Sequence, residues 1–250
     1  MRGSLIAGLL LAGLLNPIEA AEAANFTVNP MQVVFTPTRK SAVITLKNVS
    51  KEELRFQVRV FTWEQSPRGE MQLNETTDVF FFPQLLELGP GQQRPIRLGL
   101  TGTFGDAEKA YRIFFEELPA ADRAVPATAT GVQMRVRIGL PVFARPTDRG
   151  AALVATRGTR LTDGRVMLRV ENAGNSHVIV NSVRVRGLDP GGKVLFLRSV
   201  KGWYLLAKHS NEYTVPLEPS DCAAATLAVE VLIERTTVRD RVDGPLTGCR

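Results

Sequence analysis

Apolar residues recur at every second position through most of this chain, in short runs separated by turn residues. A period of two is the mark of half-buried β-strands. The runs predict strands over Phe26–Phe35, Ser41–Asn48, Leu54–Trp63, Val79–Phe82, Leu85–Leu88, Gln93–Leu100 and Tyr111–Leu118. Later runs predict Leu153–Arg157, Arg165–Asn172, Val178–Gly187, Val194–Ser199, Trp203–Leu206, Glu212–Pro216 and Thr226–Glu234. Gly89–Gly91, Asp163-Gly164 and Asp189–Gly192 read as turns between them. Regular strand spacing without a long amphipathic helix predicts an all-β chain built from antiparallel sandwiches.

One strand stands apart. In GVQMRVRIGLPVFARP (Gly131–Pro146), Val132, Met134, Val136 and Ile138 alternate with Gln133, Arg135 and Arg137, giving one apolar face and one cationic face. It follows a segment rich in Pro, Ala and Thr (Ala120–Thr130) and ends at Arg145-Pro146, a natural place for a domain to stop. Taken by itself the alternation fits an ordinary core strand. A long edge strand with an apolar face is otherwise an aggregation hazard, unless pairing with another chain is its purpose. A break near Arg145–Gly150 leaves two pieces, 24–146 and 147–250, each the size of an immunoglobulin-like β-sandwich domain.

The first residues fall outside this pattern. Arg2, an apolar run from Leu5 to Leu15, and the small-residue stretch Ala21-Glu22-Ala23 have the order of a secretory signal peptide over 1–23, cleaved after Ala23. The apolar run is too short to cross a membrane. The exported chain is therefore expected to be soluble, without stable membrane insertion.

Export changes the reading of charge and cysteine. The net charge is +6, and loss of Arg2, Glu19 and Glu22 makes it one unit more positive. The arginines are scattered through strands, with no dense basic tail and no aromatic interleaving, so a nucleic-acid partner is not expected. The two cysteines, Cys222 and Cys249, predict a structural disulfide in an oxidising compartment. Such a bond would close a loop of roughly 28 residues, worth about 3–4 kcal/mol in the chain-entropy picture. A metal site lacks both spacing and partners, since His177 and His209 are the only histidines. Each of them reads as an isolated surface or turn residue, and Trp63 and Trp203 as core or interdomain packing. Glu116 and Glu117 are adjacent on a strand and point to opposite faces, so they do not form an acid–base pair. Nothing resembles a phosphate loop, a triad or a metal cluster; no enzyme activity and no cofactor are expected.

Four segments in order resemble the periplasmic chaperones of chaperone–usher pilus assembly, the PapD-like family. They are VNPMQVVFTPTRKSAVITLKNVS, FFFPQLLELGPGQQRPIRLGL, YRIFFEELP and the alternating strand with its Arg145-Pro146. The resemblance covers residues 25–146 most fully, and ENAGNSHVIV looks like a turn early in the family's second domain. It implies two immunoglobulin-like domains in a boomerang arrangement and a partner set of incomplete immunoglobulin-like pilus subunits and an outer-membrane usher. It also implies that Val132, Met134, Val136 and Ile138 are lent to the subunit's open groove. Apolar positions need cover before binding, which self-association of the free chaperone or an unstructured loop would provide.

The chain departs from the better-known members at the anchor for the subunit's C-terminal carboxylate. Gln32 and Pro141 stand where those members carry an Arg and a Lys. The sequence is thus similar to the archaic, Csu-like branch. A desolvated carboxylate still needs a charged partner, and Arg112, a cation at the start of an otherwise apolar strand, is the first candidate, with Arg137 the second. A two-domain adhesin or ligand-binding module is the alternative, although only three Tyr and two Trp are available to build such a site.

Overall fold

The computed structural model describes residues 26–119, 135–148, 150–160, 165–234 and 236–243. The first ten strands are β1 (Phe26–Asn29), β2 (Val33–Phe35), β3 (Ser41–Asn48), β4 (Leu54–Gln65), β5 (Met71–Glu75), β6 (Val79–Phe82), β7 (Leu85–Leu88), β8 (Gln93–Leu100), β9 (Lys109–Leu118) and β10 (Arg137–Ala144). They make two facing sheets, one ordered β1-β3-β8-β6 and the other β2-β10-β9-β4-β5, with β7 also paired to β4. The predicted strand Phe26–Phe35 is in fact two. Pro30 supplies no N–H to a ladder, and the chain changes sheets there: β1 pairs with β3 while β2 runs parallel to β10. Alternation did place the core. Ile44 and Leu46 of β3 and Ile96 and Leu98 of β8 are buried, whereas Val43 and Lys47, flanking the first pair, and Arg97, between the second, are exposed. From the facing sheet come Phe35, Phe56, Val58, Ile113, Phe115, Leu140 and Val142. Each such side chain contributes about 1.5–3 kcal/mol on burial.

The second sandwich holds β11 (Val154–Arg160), β12 (Arg165–Asn172), β13 (Val178–Leu188), β14 (Val194–Lys201), β15 (Tyr204–Leu205), β16 (Ser210–Pro216), β17 (Thr226–Ile233) and β18 (Thr236–Asp243). Its sheets are β11-β12-β16 and β14-β13-β17-β18, the latter also pairing β15 with β13. The strands β5 and β18 were not anticipated; β5 is nearly all exposed, and its alternation rests on only Met71 and Leu73. Val166, Leu168, Val183, Val185, Leu227, Val229 and Val231 form a second core, separate from the first.

Both sandwiches use the same polar device. Asn48, fully buried, donates from Nδ2 to the carbonyls of Glu52 (2.7 Å), Leu88 (2.8 Å) and Gly89 (3.1 Å), and its Oδ1 accepts from the Ser50 N–H (2.8 Å). Asn172, also fully buried and also the last residue of its strand, donates to Ser176 O (2.8 Å) and Leu206 O (3.2 Å) and accepts from Gly174 N (3.0 Å). In each case one amide satisfies loop backbone groups that burial would otherwise leave unpaired.

Candidate functional site

β9 is the first sign of a site. Tyr111, Arg112, Ile113, Phe114 and Phe115 are all buried, so the strand has no solvent face in its middle. Tyr111, Ile113 and Phe115 enter the first core, and Arg112 and Phe114 lie on the opposite side. Phe114 is covered because its ring lies over Gly139 of β10, where an added Cβ would sit 2.6 Å from a ring carbon. A lone glycine inside a strand signals such a close approach, and that signal in the sequence went unused.

Arg112 is 9% exposed. Its guanidinium lies 4.5 Å from the Trp63 ring of β4 and 5.3 Å from the Trp203 ring beside β15, so it is flanked by both sandwiches. Its Nη1 donates a long bond of 3.4 Å to the carbonyl of Gly139, and its Nε is buried without a partner. Burial lowers its pKa, and no described carboxylate pairs with it. The register sets Arg112 directly across from Pro141, so the cation stands one strand away from the position where the sequence lacks it. An unpaired, walled guanidinium of this kind matches a planar anion such as a carboxylate.

Arg137 lies on the same sheet face toward the other end of β10. It forms an ion pair with Glu116 at 2.6 Å and stacks 4.0 Å over Phe114, so its charge is already met. Glu117 diverges from Glu116 and accepts from the backbone N–H of Val136 through Oε2 at 3.3 Å.

β10 itself has one used edge and one largely open. All eight of its residues pair with β9, from Arg137↔Glu116 to Ala144↔Lys109. On the other side β2 covers only Val142, Phe143 and Ala144. Among the described residues, Arg137–Pro141 therefore present an unpaired strand edge, the kind of template on which another strand can add. Val136 and Ile138 are half-buried and pack on the rim of the first core. The regular strand begins at Arg137, later than the Gly131 start predicted; Val132 and Met134 lie outside the described residues.

The junction between the sandwiches holds its own polar contacts. Gln65 donates to Tyr204 O (2.8 Å) and accepts from Leu206 N (2.9 Å). His177 is not the isolated residue expected. Its ring stacks on Phe143 at 3.8 Å, its Nδ1 bonds Glu108, and its backbone N–H donates to the same carboxylate at 3.0 Å. His209 does act as a turn residue, donating from Nδ1 to Ala207 O at 2.7 Å. Cys222 is disulfide-bonded, and Cys249 lies outside the described residues. No group of metal-ligating side chains occurs among the described residues, and no helix there is long and apolar enough to cross a membrane.

Residues 25–149, half of the chain, match the PapD N-terminal domain of pili and flagellar-assembly chaperones. No curated protein matches the chain. Solved structures match in fold. One is in the CsuC–CsuE chaperone–tip adhesion subunit pre-assembly complex from archaic chaperone–usher Csu pili of Acinetobacter baumannii: TM-score 0.61 at 16% identity, over 87% of this chain and 98% of that one. The YadV chaperone gives a TM-score of 0.58 at 14% identity, over 88% and 100% of the two chains. The Salmonella enterica SafA pilin in complex with the SafB chaperone gives 0.55 at 14% identity, over 89% and 99%.

Proposed function

The chain belongs to the family of pili and flagellar-assembly chaperones, and we propose on that premise that it completes the fold of pilus subunits by lending them the open edge of β10. The subunits are incomplete immunoglobulin-like folds with an apolar groove. Val132, Met134, Val136 and Ile138 enter the groove, and the backbone of Arg137–Pro141 pairs with its rim. Four such side chains, each worth at most about 1.5–3 kcal/mol on full burial, together with main-chain pairing along the strand offset the cost of ordering it. Arg112 binds the subunit's C-terminal carboxylate between Trp63 and Trp203, which fixes the register of the added strand. Arg137, already paired with Glu116, is the weaker anchor.

Residues 1–23 direct export, and the protein works in the periplasm. The two domains divide near Pro146–Arg149, and a Cys222–Cys249 disulfide closes the end of the second. The arrangement is that of the archaic, Csu-like branch. Subunits pass to an outer-membrane usher by exchange of β10 for the next subunit's own strand, which requires no catalysis and no cofactor. The observation that carries this reading is the β10 edge left open at Arg137–Pro141, on the same sheet as a buried guanidinium without a carboxylate partner among the described residues.

Periplasmic co-expression with a subunit lacking its final strand tests it, comparing wild type with Met134→Asp plus Val136→Asp. Wild type should yield a soluble one-to-one complex, and the double variant should leave the subunit degraded. Equal recovery of the subunit with both would make β10 an ordinary core strand.

A further inference from the structure

The surplus of arginine is not used by strand donation, and the second sandwich gathers much of it on one side. In β13 and β17, Val183, Val185, Val229 and Val231 enter the core, so their neighbours in sequence face out. The register aligns Arg184 of β13 with Glu230 of β17, and Glu230 with Arg239 of β18. The next row aligns Arg186, Ala228 and Arg241. Lys201 of β14 stands across from Ser182. Five cations thus share a face with two carboxylates, Glu230 and, one row beyond Arg241, Asp243. Glu230 is already shared by Arg186 and by Arg239 at 3.4 Å. Arg184 and Lys201 are exposed, with no partner among the described residues.

The opposite outer face of the same sandwich is different. There Arg157, Arg165 and Arg169 are offset by Glu171 and Glu212, with Arg169 and Glu212 3.8 Å apart across β12 and β16. The asymmetry therefore belongs to one sheet, not to the sandwich as a whole. The cationic face also carries apolar residues at its edge. Leu197, 54% exposed, lies across from Arg186, and Leu195 beside it is 45% exposed.

We propose that the outer face of β14-β13-β17-β18 is a reversible docking surface for a membrane rich in anionic phospholipid. Guanidinium groups on an open sheet face meet lipid phosphates, and leucines at the edge reach the headgroup layer, the combination that holds peripheral proteins at an interface. An acidic protein segment would use the cations and leave the leucines without a role. The inference goes beyond strand donation and does not depend on it.

The test is co-sedimentation of the purified exported protein with vesicles of phosphatidylcholine, with or without one-third phosphatidylglycerol, at low ionic strength. Binding should be roughly tenfold or more stronger with phosphatidylglycerol and fall steeply as salt screens the charges. Arg184→Glu with Lys201→Glu should abolish it. Arg157→Glu with Arg169→Glu makes the same change in net charge on the other face and should leave it intact. Unchanged circular dichroism and melting will show that each variant is folded. No preference for phosphatidylglycerol would overturn the proposal. So would equal loss in both variants, which reports net charge alone, or binding to polyglutamate without binding to vesicles.

Discussion

Removing the charge from Arg112 should strengthen the free protein and weaken its complex with a subunit. In the free chain Arg112 is 9% exposed, and among the described residues its Nε has no partner and its side chain makes one hydrogen bond, 3.4 Å long. An orphaned buried donor costs about 1–3 kcal/mol, and an uncompensated buried cation costs several kcal/mol before relaxation. The two indole contacts return roughly 0.5–2 kcal/mol each. Arg112→Met keeps most of the packing between Trp63 and Trp203 and relieves the rest, so the free protein should gain about 1–2 kcal/mol, or roughly 2–4 °C per kcal/mol in melting temperature. Burial lowers the folded-state pKa. The penalty is therefore relieved only as pH rises through that lowered value, and the gain should be independent of pH below it. In the complex the same change strips a carboxylate of its partner, at about 2–5 kcal/mol, a loss of roughly 30-fold to a few thousandfold in affinity. Arg112→Lys keeps the charge and loses the planar stacking, so it should fall between. Urea unfolding of the free variants and affinity for a subunit ending in a carboxylate or an amide would be measured together. A destabilised Arg112→Met that still prefers the carboxylate would make Arg112 a structural cation and refute the argument.

Gly139→Ala should disturb the site from β10, because the added Cβ meets the Phe114 ring at 2.6 Å. A loss of about 1–3 kcal/mol is expected from such overpacking, read by chemical denaturation and by a shift of the Arg137 environment in NMR. Asn48→Ala strips three carbonyls and one N–H of their partner at the end of β3, which should cost about 3–5 kcal/mol. Asn172→Ala should cost a similar amount in the second sandwich, and calorimetry should show each variant lowering the transition of its own sandwich.

Much of this fold was legible because burial follows strand alternation. Ile44, Leu46, Ile96 and Leu98 read directly as core. The misses have physical causes. The switch of sheets at Pro30 depends on which strands β1 and β2 meet, which local pattern does not encode. β5 pairs with β4 and offers only two apolar residues, Met71 and Leu73, of which Leu73 alone is part-buried, so its alternation is too short to stand out. Arg112 was visible as a cation in an apolar run. Its two tryptophan neighbours, one from each sandwich, became evident only in three dimensions. The pairing of His177 with Glu108 joins residues 69 apart in sequence, beyond any local pattern.

The open edge of β10 is the claim on which the account rests, and amide hydrogen exchange reads it directly. In the free protein, those amides of Arg137–Leu140 that do not pair with β9 should exchange rapidly. In the purified chaperone–subunit complex they should become as slow as the amides of β9. Amides already slow in the free protein, or unchanged by a bound subunit, would contradict strand donation from this edge.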